Sequence, residues 1–346
     1  MKNGKSLAIV FILALSGCFI LSGMDSSLAA DKVIKWKCQS HWPAASPSYS
    51  ASLLKIIDTV KERTKGRLVI EAFPAGSLVP ATEIFHAAKR GMIEMGGTAS
   101  SYFLGQIPMA GVAAGLPFSF KDYWEGAYFF KQRGYDKMLK DFAFEKHGLY
   151  YFTDRIYPHE LVVKKPIRSM EDFKGMKFRS AGVIQVFLTS IGAAASYLPG
   201  PEIYPALASG VVDGAHWGAA QGANDMKFYD MCKYHLKPPL AISGTDVYVI
   251  NKKAFEALPK DIQETFNQVL EEHFWKRTNE YIYLEAMVLA KAQEEKGVKV
   301  LTLPPEDQKK MTQAAVKIWD KEAEKDPLYA KAIGMMKDFL KDLGHL

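Results

Sequence analysis

One segment of the sequence places an arginine where it could bind an anion. The segment Lys174–Ser180 reads KGMKFRS, and Arg179 stands at the end of its short predicted strand, just before Gly182. A guanidinium group can donate two parallel hydrogen bonds to one carboxylate, a geometry that a lysine ammonium cannot match. Taken alone, the pattern predicts either a carboxylate site at Arg179 or an ordinary surface salt bridge.

The sequence lacks the short motifs that mark several large enzyme classes. It contains no GxGxxG, GxxxxGK[ST], GxSxG, HExxH or CxxC motif, and its eight histidines are scattered along the chain. Catalytic groups can still meet in space without a sequence motif. We therefore predict a binding protein and no cofactor, and keep an enzyme with His216 or His159 as its base as the alternative.

Composition is that of a folded globular protein. The chain has 346 residues, 48% of them hydrophobic and 24% charged, and its net charge is +6 from 44 basic and 38 acidic residues. These values exclude a disordered or cysteine-stapled chain. Because the positive surplus is small and not clustered, nucleic-acid binding is not expected.

The first thirty residues predict export from the cytoplasm. Lys2 and Lys5 precede an apolar run from Leu7 to Leu21, and small residues at Ser26–Ala30 indicate a cleavage site. This order is typical of a signal peptide, assigned here to residues 1–30. The run ending at Cys18 also reads as a lipobox, so a lipid anchor at Cys18 is an alternative to simple release into the periplasm.

The remaining sequence alternates between strand and helix patterns. Strands are predicted at Val33–Cys38, Leu68–Phe73 and Met92–Met95, separated by helices at 48–63 and 81–90. This β-α-β-α-β order favours a parallel sheet covered by helices. Two cysteines remain after export, Cys38 and Cys232, and we expect buried thiols, with a disulfide as the alternative.

A long helix links two predicted lobes. Residues 261–296 contain neither Gly nor Pro and would span roughly 54 Å as one helix, longer than one small domain. The predicted fold is therefore α/β with two lobes around a ligand cleft, lobe I being 31–152 plus 241–283 and lobe II 153–240 plus 284–346. Ligands of such sheets bind at the carboxyl ends of the strands.

Several segments in order resemble the solute-binding proteins of TRAP transporters (the DctP family). Besides Lys174–Arg179, they are Glu71–Pro80, Ala87–Gly96 and Glu202–Ala215, the last matching ExYxALxxGxVDGA. The resemblance implies a periplasmic-binding-protein-like fold, a carboxylate clamp at Arg179 and delivery of a small organic acid to TRAP membrane subunits. The added helix that opens at Asp326 implies a homodimer as one alternative.

The resemblance extends to the branch that binds 2-oxo and 2-hydroxy monocarboxylates, and it suggests further ligand contacts. Arg155 lies where members of the family have a second arginine, or else it pairs with a neighbouring acid. The remaining candidates are two histidines and three aromatic residues: His159, His216, Trp42, Tyr102 and Trp217. Each could instead be an ordinary core residue.

Two departures from this branch concern a metal ion that its members hold beside the ligand. The branch uses a glutamine and a Glu-Trp pair, but here these positions fall on Pro158 and on His216-Trp217. Both expected metal oxygens are missing, so we predict ligand binding without a metal. His159 and His216 as ligands of a softer metal are the alternative.

The predicted function is capture of a small organic acid, a 2-oxo or 2-hydroxy monocarboxylate with an aromatic or branched group as one option. A C4-dicarboxylate ligand is the alternative within the family. A periplasmic enzyme and a sensory ligand-binding module are the alternatives outside it.

Overall fold

A computed structural model describes residues 33–346. The predicted signal peptide (1–30) and the lipid anchor at Cys18 lie outside the described residues. Within residues 33–346, no helix combines the length and the apolar character needed to cross a bilayer.

The first sheet has five strands in the order β2-β1-β3-β10-β4. Their bounds are β1 Ile34–Ser40, β2 Leu68–Phe73, β3 Met95–Ala99, β4 Leu149–His159 and β10 Ala241–Asn251. Strands β1, β2 and β3 pair in parallel, whereas β10 runs antiparallel to both β3 and β4. The sheet is therefore mixed and not purely parallel as predicted, because β10 enters it from the opposite direction.

The second sheet has six strands in the order β11-β9-β5-β8-β6-β7. Their bounds are β5 Leu161–Val163, β6 Lys177–Arg179, β7 Ala194–Ser196, β8 Gly214–His216, β9 Tyr234–Lys237 and β11 Lys299–Thr302. It is also mixed, since β5 pairs antiparallel with β8 and β9 while β6 pairs in parallel with β7 and β8.

Helices cover both sheets. The longer ones are α1 Leu54–Arg63, α2 Ile84–Arg90, α4 Tyr123–Gln132, α5 Tyr135–His147, α6 Gly182–Ser190, α7 Gly200–Ser209, α10 Lys260–Lys296, α11 Pro305–Ala323 and α12 Pro327–Asp342. The short ones are α3 Ala110–Ala113, α8 Ala220–Asp225 and α9 Lys252–Glu256. A π-helical turn at Ser48–Leu53 leads into α1. The predicted long helix is confirmed as α10, which has 37 residues, ends at Lys296 and is capped by Gly297.

The position of β3 differs from the prediction. The sequence pattern placed this strand at Met92–Met95, but the structure has it at Met95–Ala99, through two glycines. A Cβ on Gly97 would lie 2.9 Å from the ring of Trp42, so only glycine lets the ring pack against the strand. Burial on both faces, and not side-chain propensity, makes this segment a strand.

Helix α10 contacts both halves of the molecule. Thr278 accepts a hydrogen bond from the backbone N–H of Ile156 in β4, and Glu285 accepts one from the backbone N–H of Gln221 in α8. The chain passes from the first sheet to the second at Glu160 and returns between β9 and β10. This arrangement is the two-lobed fold that was predicted, while the proposed lobe boundaries stay a prediction.

The last helix packs on its own chain. In α12 the apolar side chains of Tyr329, Ile333 and Phe339 are buried, and Phe339 stacks on Tyr128 of α4. A homodimer through this helix stays a prediction. Cys38 and Cys232 are both free and buried, in separate hydrophobic clusters, as expected for thiols.

Candidate functional site

A cleft lies between the two sheets at the carboxyl ends of several strands. All seven predicted contact residues line it: Trp42, Tyr102, Arg155, His159, Arg179, His216 and Trp217. Arg179 and His216 end β6 and β8, and His159 ends β4. The cleft has a cavity volume of about 60 Å³, which corresponds to about four to six waters at roughly 10–15 Å³ each.

Arg179 is held by neutral groups. Its side chain is 2% exposed. Nε donates a hydrogen bond to the carbonyl oxygen of Leu198 (3.0 Å), and Nη1 donates one to the carbonyl oxygen of His216. Nη2 lies 3.5 Å from the Tyr102 hydroxyl. No carboxylate in residues 33–346 pairs with it within 4.0 Å. Three of its five N–H groups are used, so two remain for an anion in the cleft.

Aromatic rings from both sheets surround this guanidinium group. The carbon at its centre lies 4.8 Å from the centroid of the Trp217 ring. The ring of His41, just after β1, packs edge-on against Tyr102 (5.1 Å) and Trp217 (5.9 Å). The rings thus connect the two halves across the cleft and provide an apolar wall beside Arg179.

Arg155 has the opposite surroundings. It lies in β4 and is 1% exposed; Nη1 donates to the Asp154 carboxylate, and Nη2 to the Asp246 carboxylate (3.2 Å) and to the Ser48 hydroxyl (2.7 Å). These carboxylates raise the pKa of Arg155 above its usual range despite burial. Arg155 therefore pairs with neighbouring acids, which was one of the two alternatives, and it also lines the cleft. Its contact with a ligand, the other alternative, stays a prediction.

Asp246 is the carboxylate of the cleft. Its Oδ1 accepts a hydrogen bond from the Tyr157 hydroxyl (3.2 Å) and lies 3.3 Å from His41 Nε2. Its Oδ2 accepts hydrogen bonds from Trp42 Nε1 and Arg155 Nη2, both at 3.2 Å. Four partners thus hold a buried carboxylate in one position.

His159 and His216 are neutral side chains packed against each other. Their ring centroids are 4.4 Å apart, and His216 Nδ1 lies 3.1 Å from the Ser180 hydroxyl. Burial lowers the pKa of His159 to about 4, with Arg179 adding to the effect and Asp246 opposing it. Burial, His159 and Arg179 together lower the pKa of His216 well below its usual value.

Both ring nitrogens of His159 lack a hydrogen-bond partner among the described residues. The ring is packed against Gly244, where any Cβ would lie 1.9 Å from Nε2. A histidine at this position needs that glycine, because a larger residue would displace the ring from the cleft wall.

Sequence reasoning missed several cleft residues: His41, Ser48, Tyr157, Asp246 and Tyr281. One signal was present for Asp246, the single acid in the otherwise uncharged segment 241–251. An acid inside a buried strand has to find donors or a cation. His41 directly precedes Trp42, so the prediction that Trp42 lines the cleft could have included His41 as well.

A serine, a histidine and an aspartate meet away from the cleft. His273 Nε2 lies 2.8 Å from both Ser52 Oγ and Asp154 Oδ1. A catalytic triad needs one ring nitrogen for the nucleophile and the other for the acid. Here a single nitrogen faces both groups and Ser52 is buried, so the cluster is structural.

Comparisons with known proteins agree with this architecture. A model of the DctP family, described as bacterial extracellular solute-binding protein, family 7, matches residues 39–326. A monocarboxylate 2-oxoacid-binding periplasmic protein of Nostoc sp. (strain PCC 7120) is 26% identical over 313 residues, which cover 90% of this chain and 85% of that protein.

Solved structures share the fold. A TRAP transporter solute-binding protein of Bordetella bronchiseptica RB50, a mixed-occupancy dimer with copurified calcium and picolinate, superposes with a TM-score of 0.83 at 23% identity, covering 90% of this chain and 93% of that one. A TRAP periplasmic solute-binding protein of Pseudoalteromonas atlantica with bound sodium and pyruvate also superposes with a TM-score of 0.83 at 23% identity. The match covers 90% of this chain and 95% of that one.

The residues of this cleft do not provide the set of oxygen ligands that calcium or sodium needs. Such hard cations take several oxygen ligands, but Pro158 and His216 stand where the resemblance expects an amide and a carboxylate. The carboxylate oxygens of Asp246 already have two partners each. Within residues 33–346, no group of three or more His, Cys, Asp or Glu side chains could hold a metal ion.

The fold, the cleft at the strand ends and the long connecting helix thus agree with one family. Because its model covers most of the sequence, the chain belongs to the DctP family of bacterial extracellular solute-binding proteins.

Proposed function

We propose that this protein is the periplasmic solute-binding protein of a TRAP transporter and captures a small monocarboxylate of the 2-oxo or 2-hydroxy class. The ligand carboxylate pairs with Arg179, and the loaded protein delivers it to the TRAP membrane subunits. The protein binds its ligand unchanged and catalyses no reaction.

The single observation that carries this proposal is the state of Arg179. A buried guanidinium group faces the cleft with neutral hydrogen-bond partners and two free N–H groups. A buried cation without a counter-ion is costly, and a carboxylate ligand would remove that cost. Trp217 and Tyr102 would contact the ligand on either side of this pair.

Two observations support a small ligand of this class. The cavity volume of the cleft corresponds to only about four to six waters, which favours a small acid. The Nostoc relative, which aligns over 90% of this chain, is a monocarboxylate 2-oxoacid-binding protein. Because the cleft does not fit a hard cation, we propose that binding needs no metal and that Arg155, His159 and His216 contact the ligand as hydrogen-bonding groups that add no net charge.

The test is calorimetric titration of the mature protein with pyruvate, lactate and larger 2-oxo acids, with and without a chelator. We expect one of these acids to bind, with or without the chelator, and Arg179→Gln to weaken it by about 100-fold, equivalent to about 2.7 kcal/mol. Ligand recovered from the protein should be chemically unchanged.

Arg63→Gln is the matched control, because Arg63 pairs with Glu272 at the surface, away from the cleft. This variant should bind as the wild type does. Failure of every acid, or equal binding by Arg179→Gln, would contradict the carboxylate clamp. Loss of binding in the chelator would contradict the metal-free site.

A further inference from the structure

We propose that Asp246 determines which anions the cleft accepts. Its carboxylate forms part of the cleft wall, compensates Arg155 and repels a second negative group, so that the site selects monoanions over dianions. This inference rests on the proposed function and adds to it the residue that excludes dicarboxylates.

The first step is the charge of the lining. Among the lysines, arginines, aspartates and glutamates of the described residues, the cleft is lined by Arg155, Arg179 and Asp246 alone. Their formal charges sum to +1. The His159 and His216 rings add none at neutral pH, because burial lowers both pKa values. Asp154, buried beside Arg155, brings the sum to zero, so Arg179 is the one cation of the described lining without an acidic partner. A monoanion pairs with Arg179, whereas the second charge of a dianion has no cation left to pair with.

The second step is that Asp246 cannot move aside. It is 2% exposed, and its two oxygens have four partners: His41, Trp42, Arg155 and Tyr157. These partners come from the loop after β1 and from β4, so they hold the carboxylate from two directions. A second ligand carboxylate in the cleft would meet this fixed and buried charge, and like charges repel more strongly beside buried groups than in bulk water.

The third step is that Arg155 is not free to receive a second carboxylate. Asp154 pairs with it from the same strand, and Asp246 pairs with it at the cleft wall. A second arginine in the sequence therefore adds hydrogen-bond donors to the cleft but no net positive charge. Two arginines and two histidines in the lining therefore do not make the cleft strongly positive.

The effect of ligand charge can be measured apart from that of ligand size with three ligands that have the same number of non-hydrogen atoms. Pyruvate and oxamate are monoanions at pH 7.5, and oxalate is a dianion. Each is titrated into chelator-treated wild type, Asp246→Asn and Asp136→Asn. Asp136 is the control because it is also a buried acid, paired with Lys131 and Lys140, outside the cleft.

We expect the wild type and Asp136→Asn to bind oxamate at least about tenfold more tightly than oxalate, equivalent to about 1.4 kcal/mol. In Asp246→Asn, which keeps the size of the side chain, this ratio should fall to about one or reverse. An unchanged ratio in Asp246→Asn would overturn the role of Asp246 while leaving capture of a monocarboxylate intact.

The wild type alone also tests the proposal, whether or not the variant folds. Oxalate binding as tightly as oxamate in the wild type would overturn it. If neither pyruvate nor oxamate binds while oxalate does, both this selectivity and the proposed monocarboxylate function are wrong.

Discussion

The two buried arginines of the cleft differ in what accepts their hydrogen bonds. Arg179 donates to the carbonyl oxygens of Leu198 and His216, which orient the guanidinium group without neutralising it. Arg155 donates to the carboxylates of Asp154 and Asp246, which neutralise it. Burial is almost the same for both, so the charge of the acceptors decides which arginine remains available for an anion.

The largest expected effect is the loss of stability on replacing Arg155, the arginine that is neutralised by two carboxylates. Arg155→Gln would leave two buried carboxylates without their cation, and we expect the free energy of unfolding to fall by about 3–5 kcal/mol. Chemical denaturation measures this loss. The exposed pair is the control, since Arg63→Gln should cost less than about 1 kcal/mol. A loss below about 1 kcal/mol for Arg155→Gln would mean that the carboxylates do not depend on it.

The second largest effect is expected from protonation of His159, whose pKa is lowered mainly by burial, with Arg179 adding to the shift and Asp246 opposing it. Its folded-state pKa of about 4 is below the ordinary value of 6.5, so its neutral form stabilises the fold above pH 6.5. That contribution, roughly 3 kcal/mol, is lost as the pH falls from about 6.5 to 4.

His159→Gln should therefore flatten the dependence of the unfolding free energy on pH in this window, relative to wild type. Titration of the His159 ring by NMR tests the cause directly. In Arg179→Gln the pKa of His159 should rise, because a repelling charge is gone. A wild-type pKa near 6.5 would contradict the effect of burial, and an unchanged pKa in Arg179→Gln would contradict the field that we assign to Arg179.

A matched pair of lysine variants sharpens the contrast in binding. Arg179→Lys keeps the charge but loses the forked geometry, and we expect ligand affinity to fall about 30-fold, equivalent to about 2 kcal/mol. Arg155→Lys should change affinity less than about threefold and mainly lower the melting temperature. Calorimetry measures the affinity of both variants, and thermal unfolding measures their stability. Equal losses of affinity in the two variants would contradict the difference that we assign to the two arginines.

The smallest effect is expected at the aromatic wall beside Arg179. Trp217→Leu removes the ring stacked on the guanidinium group, and we expect affinity to fall about fivefold, equivalent to about 1 kcal/mol. Trp124→Leu is the control, because Trp124 is exposed and does not line the cleft. If both tryptophan variants bind as the wild type does, the ring is not part of the site.

Local pattern was sufficient to predict the long helix, from 36 residues without Gly or Pro, and the strand that ends at Arg179. His216 and Trp217 came from the family resemblance and not from local pattern. The structure has Arg179 and His216 at the ends of the parallel strands β6 and β8, with Trp217 next in the chain, so that all three line the cleft. Their contact with a ligand stays a prediction.

The partners of Arg155 depend on pairing between distant segments and could not be predicted in this way. Asp246 reaches Arg155 only because β10 pairs antiparallel with β4, across 91 positions of sequence. The same long-range pairing made the first sheet mixed. For β3, the two glycines concealed a strand, because its burial comes from Trp42 and Ile84 and not from its own side chains.

The carbonyl oxygens that hold Arg179 also bear on the entropy of binding. A free arginine side chain has many rotamers, and ordering one costs up to about 2 kcal/mol. Here the side chain is already ordered by Leu198 and His216 in the folded protein. An arriving carboxylate therefore does not have to order its partner, and more of the free energy of the ion pair is retained as affinity.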